Sequence, residues 1–301
     1  MTRRRVTIAL VGGICALAAT ATPASAATAY LSLTGSGSIC SIAAPCLSMA
    51  TALSVAGSNG EVICLSKAPY GFATINTTVT ISCGDGWWEA PGGVSINMPG
   101  GSEVAIEGLV ADGNGIAGSP IFVIGQGTLR LRRVRAGNSF GTASYGLNFT
   151  PNGPAALHIT DSVFYNNGGA GLYIKPASGV QANVYIDRTH FEKNSFGIAA
   201  DGSGGGAISG VVRDSAVSGN ANTGITTFSG GTSITLVVQN STIAGNNFGL
   251  ASSGPNAGIL VTRSAINYNG TGVFGPVYSY GDNSLNGNGA DGTFAATIGL
   301  R

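Results

Sequence analysis

The sequence predicts an all-β chain: a single-stranded, right-handed parallel β-helix (a solenoid) with a short N-terminal capping helix. Three observations predict it. A phrase of about 26 residues recurs along the second half of the chain, its strands alternate apolar and polar residues, and Asn and Gly return at fixed places in each copy. Self-similarity at such a period marks stacked supersecondary units. Alternation marks strands with one buried face, and Asn and Gly mark the turns between them.

The first element is a processing segment. Arg3, Arg4 and Arg5 precede an apolar run from Val6 to Ala19, and Ala24-Ser25-Ala26 forms a small-x-small cleavage site. That order predicts a secretory signal peptide over 1–26. The run is shorter than the roughly 20 apolar residues of a membrane span. Its removal leaves 11 basic residues against 13 acidic ones. A near-neutral surface supplies no electrostatic reason for nucleic acid or membrane as partner. With 44% apolar residues the chain can bury a core, so its low charge does not mean disorder. Its 49 glycines lack the three-residue period of collagen.

Residues 27–60 read as an N-terminal cap. Stacked coils expose open sheet ends that need covering. Ser48 as N-cap, MATALSVA and Gly57 as terminator fit an amphipathic helix that would form the lid. Four cysteines follow the leader: Cys40, Cys46, Cys64 and Cys83. An even count in an exported chain predicts disulfides. Three pairings exist, and Cys40–Cys46 with Cys64–Cys83 is favoured because each closes a short loop. Neither His158 nor His190 lies near them, so no metal site and no cofactor is expected.

Residues 61–301 read as the β-helix with its C-terminal closure, the tail from Gly292 onward serving as the end cover. The copies are LHITDSVFYNNGGAGL, VYIDRTHFEKNSFGI, GVVRDSAVSGNANTGI, LVVQNSTIAGNNFGL and ILVTRSAINYNGTGV. An apolar anchor recurs as Leu109, Val134, Phe164, Phe191, Val217, Ile243, Ile266 and Leu285. Three residues after it stand Asp112, Gly137 and then six asparagines: Asn167, Asn194, Asn220, Asn246, Asn269 and Asn288. Coils stack about 4.8 Å apart, so those asparagines are expected to form one hydrogen-bonded file.

On these residues the chain resembles the right-handed parallel β-helix repeat proteins of the pectin-lyase-like superfamily, and within it small exported bacterial β-helix proteins. The likeness is carried by Pro45-Cys46-Leu47-Ser48 to Ala52-Leu53, by the DS-x-V/F-x-x-N coils, and by SYGDNSLNGNG from Ser279 to Gly289. It covers nearly all of the mature chain. It implies the fold but no single activity, because lyases, hydrolases, esterases, tailspikes and adhesins share it. The adjacent Asp pair, Gly-His-Gly and Arg-x-Lys of polygalacturonase-like hydrolases are absent. So are the Asp cluster of pectate-lyase-like enzymes and the calcium-binding G-G-x-G-x-D repeat.

The charged residues form columns. Asp161, Arg188, Asp214, Asn240, Arg263 and Asp282 stand three residues before successive anchors, with alternating sign. Asp187 with Arg213, and Glu107 with Arg132, repeat the alternation. Pairing between coils is the first reading. Asp161 and Asp214, two coils apart, are also candidate glycosidase carboxylates, although Arg188 between them would keep both ionised. A second candidate site lies on the strand after each Gly-aliphatic pair. Asn148, Tyr173, Lys175 and Asp201 point outward there, and the loop from Gly137 to Gly146 would wall a groove with Phe140 and Tyr145. Lys175 and Asp201 are the catalytic suspects of that set.

The expected function is an exported protein, extracellular, cell-surface or periplasmic, that binds glycan or matrix polymer without catalysis. The alternative is a polysaccharide lyase or glycoside hydrolase.

Overall fold

Alternation in the sequence becomes alternation across a wall. In the strand Gln181–Asp187, Ala182, Val184 and Ile186 are buried, while Asn183 and Tyr185 face outward. The computed structural model describes residues 26–84 and 86–299. The leader expected over 1–26 lies, apart from Ala26, outside the described residues.

The strands stack in parallel into three faces. The long-strand face includes Ala155–Thr160, Gln181–Asp187, Ala207–Arg213, Ile234–Gln239 and Ala257–Thr262. The short-strand face is a separate nine-stranded sheet of mostly three-residue strands, such as Val163–Tyr165, His190–Glu192 and Ala216–Ser218. The third face includes Ala170–Ile174, Phe196–Asp201, Thr223–Phe228 and Phe248–Ser253. Two long strands, Val94–Glu107 and Ile121–Arg132, run from the third face into the long-strand face, with a register shift between Met98 and Ser102. Aliphatic and aromatic residues from all three walls fill the interior, and Phe164 stacks on Phe191 with ring centroids 5.2 Å apart.

One corner explains the charged column. Arg133, Asp161, Arg188, Asp214, Asn240 and Arg263 each turn the chain from the long-strand to the short-strand face with φ between 44° and 52°. Left-handed backbone is uncommon for residues other than Gly. Coil-to-coil hydrogen bonds hold it, for example Asp161 N to the Asp187 carbonyl at 3.2 Å and Asp214 N to the Gln239 carbonyl at 3.1 Å. Charged side chains at this corner, and on the strand ends just before it, pair by alternating sign. Arg188 Nε donates to Asp161 Oδ1 at 2.7 Å and Arg213 Nε to Asp187 Oδ1 at 3.0 Å. Asn240 bonds Asp214.

The residue after the corner points inward and makes a hydroxyl ladder. Thr189 N donates to Ser215 Oγ at 3.1 Å, Ser215 N to Ser241 Oγ at 3.2 Å, and Ser241 N to Ser264 Oγ at 3.1 Å. The expected asparagine file forms a second ladder. From Asn167 to Asn288, each Nδ2 donates to the next Oδ1 at 2.8–3.1 Å. Each Oδ1 from Asn194 onward also accepts the backbone N–H of the coil before it.

Two columns differ from the sequence reading. Phe164 pairs with Ala136, not Val134, and Leu129 pairs with Leu157. The first anchors are therefore two residues early. At the inward corner position the N-terminal coils carry Trp88, Leu109 and Val134, where later coils carry Ser or Thr. These large apolar residues mimic the anchor, whose true occupants are Ala111 and Ala136. The ladder starts accordingly at Ser139, whose Oγ donates to Asn167 Oδ1 at 2.7 Å, rather than at Gly137. Near the other end Val261 pairs with Ser279, one residue before Tyr280.

The N-terminal end carries the helix Met49–Ala56, with Met49, Ala52 and Ala56 buried. Gly57, at φ 66°, donates its N–H to the Leu53 carbonyl at 3.0 Å and ends the helix. Ser48 precedes it in extended backbone, but its side chain makes no capping hydrogen bond. Disulfides join Cys40 to Cys46 and Cys64 to Cys83. At the far end the short strand Ala296–Thr297 pairs with Val277–Ser279, and Phe294 packs against the core. Asp291 Oδ1 accepts from Asn288 Nδ2 at 2.8 Å and so closes the ladder. Among the described residues no helix is long and apolar enough to cross a membrane.

Candidate functional site

On the third face the strand Phe196–Asp201 turns Phe196, Ala199 and Asp201 outward, and Gly197 and Ile198 inward. Registry sets their neighbours. Ala199 lies between Tyr173 and Thr226, Phe196 beside Ala170, and Asp201 above Phe228. The insertion loop before Gly146 is held by Tyr145 N donating to Ser119 Oγ at 3.2 Å. It delivers Tyr145 onto Tyr173, with centroids 4.3 Å apart and rings inclined by 16°. These side chains wall a trough of about 350 Å³. Tyr145, Tyr173, Phe196 and Phe228 are its aromatic rim, Ala170 and Ala199 its floor, and Asp201, Thr226, Thr142 and Ser253 its polar groups.

Asp201 is the electrostatic centre. Its Oδ2 accepts from Tyr173 Oη at 2.7 Å and from Lys175 Nζ at 2.9 Å, and its Oδ1 accepts from Ser203 N at 2.8 Å. Burial alone would raise its pKa. The hydrogen bonds from Ser203, Tyr173 and Lys175 outweigh burial and hold the carboxyl at about 2. Burial, and then the adjacent Asp201 carboxylate, push the Tyr173 hydroxyl well above its ordinary value. Burial raises Tyr145 in the same direction. At neutral pH the site therefore holds an anion locked against a lysine, beside two protonated phenols. It can hydrogen-bond and stack, but its carboxylate does not readily take up a proton.

The structure brings three of the four sequence-selected residues together: Tyr173, Lys175 and Asp201. Asn148 lies one coil away, in register with Tyr173, but its Oδ1 is buried and accepts no hydrogen bond from the described residues. Tyr145 walls the groove as expected. Phe140 does not; it is 52% exposed and lies beside Gly115. Asp161 and Asp214 sit far from this trough in the fold, on the corner column, committed to Arg188 and Asn240. Arg188, the first partner of Asp161, lowers its pKa. Phe196, Phe228 and Thr226 were not singled out from sequence. Phe228 was findable there, because it follows Asp201 by one coil length in an outward column.

Other hollows lie on the remaining faces. Asp161 also edges an open hollow on the short-strand face with Lys67, Arg133 and Arg135. Lys67 pairs with Glu89 and Arg133 with Glu107 there, and Arg135 lies over the Tyr165 ring. On the long-strand face His158 stacks on Tyr185, with centroids 4.8 Å apart; burial, then Arg130, lowers its pKa. Trp88 is buried and donates Nε1–H to the Gly71 carbonyl at 3.1 Å, while Trp87 is partly exposed. Among the described residues no group of three His, Cys, Asp or Glu side chains is placed to hold a metal ion.

Parallel coils, stacked ladders and three walls define a β-solenoid. A family model described as the right-handed β-helix region matches residues 119–290, more than half of the 301-residue chain. The chain belongs to the right-handed β-helix family. No curated protein and no solved structure matches it.

Proposed function

We propose that this protein is exported and binds glycan through the third-face trough, without turning it over. The observation that carries the reading is the aromatic rim around a neutralised Tyr173–Lys175–Asp201 cluster. Sugar rings offer apolar C–H faces and hydroxyl edges. Exposed aromatic rings suit the first, and a few convergent polar groups suit the second. Two disulfides fit an oxidising compartment, which supports the extracellular, surface or periplasmic assignment and the leader over 1–26.

Binding is favoured over acid-catalysed hydrolysis by the state of Asp201. A general acid needs a raised carboxyl pKa, and this one is driven down. Among the described residues Asp201 is also the only carboxylate lining the trough. The test is a glycan array probed with the mature protein and with a Tyr173→Ala, Phe228→Ala double variant. The expected result is a restricted set of glycans bound by the native protein and lost in the variant. Binding that survives the double substitution would move the site elsewhere, and no binding to any glycan would defeat the reading.

A further inference from the structure

Resting on that reading, we infer that the trough selects an N-acetylated hexosamine unit over neutral unacetylated sugars and over uronic acids. Three features of the lining carry this.

The first is charge. Lys175 is already matched by Asp201, and Tyr145 and Tyr173 stay protonated. A ligand carboxylate would enter beside the Asp201 carboxylate with no free cation among the described trough-lining residues to offset it. Like charges at such range repel. This disfavours uronates.

The second is the hydrogen-bonding inventory. The Asp201 oxygens already accept from Ser203, Tyr173 and Lys175, which occupies most of their capacity. Lys175 Nζ carries three protons and gives one to Asp201. The donors left over along the trough are the Thr142, Thr226 and Ser253 hydroxyls and the Tyr145 phenol, with the remaining Lys175 protons beside Asp201 at its edge. A donor-rich site without spare positive charge suits a neutral acceptor, and an amide carbonyl is a stronger neutral acceptor than a sugar hydroxyl.

The third is shape. Ala199 is a small residue in its outward column, set between the larger Tyr173 on one coil and Thr226 on the next. With Phe196 on the same strand and Ala170 beside it, Ala199 makes an apolar dip under an aromatic rim. An acetyl methyl fits such a dip, and a hydroxyl placed there would go unpaired. Together these features assign the methyl to the Ala199 floor, the acetyl carbonyl to the Lys175 side, and the pyranose face to the Phe228 ring.

The test uses the mature protein and calorimetric titration with four soluble tetramers: N-acetylglucosamine, its de-N-acetylated glucosamine form, glucose and galacturonate. One buried methyl and one hydrogen bond together predict about tenfold tighter binding of the acetylated tetramer. Ala199→Leu fills the dip and should weaken binding of the acetylated tetramer about tenfold, removing its advantage over the glucose tetramer. Equal affinity for the acetylated and glucose tetramers, or tightest binding of the galacturonate or glucosamine tetramer, overturns the acetyl assignment but leaves glycan binding standing. Should no tetramer bind while an array shows other glycans captured, the acetyl assignment alone fails; no binding in either assay removes both. Thermal denaturation of Ala199→Leu checks that the coil stack is intact. If that variant does not fold, Phe228→Ala replaces it, with about tenfold weaker binding of the acetylated tetramer expected from the lost ring contact; unchanged affinity then counts against the assignment.

Discussion

Asp201 shows how a single side chain is tuned by two neighbouring coils. Tyr173 and Lys175 come from the coil before it, and Ser203 from its own turn. Its folded pKa of about 2 lies below the ordinary 3.8. A depressed carboxyl adds stability that is fully present above its unfolded pKa and is lost as pH falls through the folded one. The native protein should therefore lose stability between about pH 4 and pH 2 at this group, and Asp201→Asn should show a flatter profile there. Urea denaturation at pH 5 and at pH 2.5 measures the difference, and parallel profiles would count against the assigned hydrogen bonds. Of this site, Tyr173, Lys175 and Asp201 were legible in the sequence because strand alternation and coil length place outward residues above one another. Asn148 obeys the same registry, yet its amide oxygen is turned into a buried position. Side-chain direction within a column is set by packing and does not appear in spacing.

The ladders are the elements that hold one coil to the next. Asn220 Nδ2 donates to Asn246 Oδ1 at 2.9 Å and to the Phe191 carbonyl at 3.2 Å, and its Oδ1 accepts from Asn194. Asn220→Ala would leave several buried polar groups unpaired at once, at about 1–3 kcal/mol each before relaxation, so a total loss of about 2–4 kcal/mol is expected. The exposed Asn247→Ala should stay within about 0.5 kcal/mol of the native protein. Chemical denaturation of both variants makes the comparison, and similar costs would contradict the ladder. The six asparagines were readable from the repeat. The hydroxyl ladder was not, because its N-terminal coils substitute Trp88, Leu109 and Val134, and those residues drew the anchor column two positions too early. Alanine at a core position, as at Ala111 and Ala136, carries too little apolar weight to compete with a valine nearby.

At the scale of the whole molecule the two ends are unequal. The N-terminal coils carry a packed helix and two disulfides, while the C-terminal coil is closed by a two-residue strand, Phe294 and Asp291. Stacked repeats gain stability from their neighbours, and opening starts where buried contacts are fewest. Hydrogen exchange should be fastest in 277–299 and slowest in 155–262; reduction of the disulfides should raise exchange in 28–83 and leave the middle unchanged. The same stacking underlies the proposed binding: segments far apart in the chain wall one trough because coils lie in register. Amide NMR of the labelled protein, titrated with a glycan that binds, tests it most directly. Shifts are expected in five separate segments, 142–145, 170–175, 196–203, 223–228 and 251–253, with the short-strand face silent. Shifts confined to one contiguous stretch, or centred on the corner carrying Asp161 and Asp214, would contradict it.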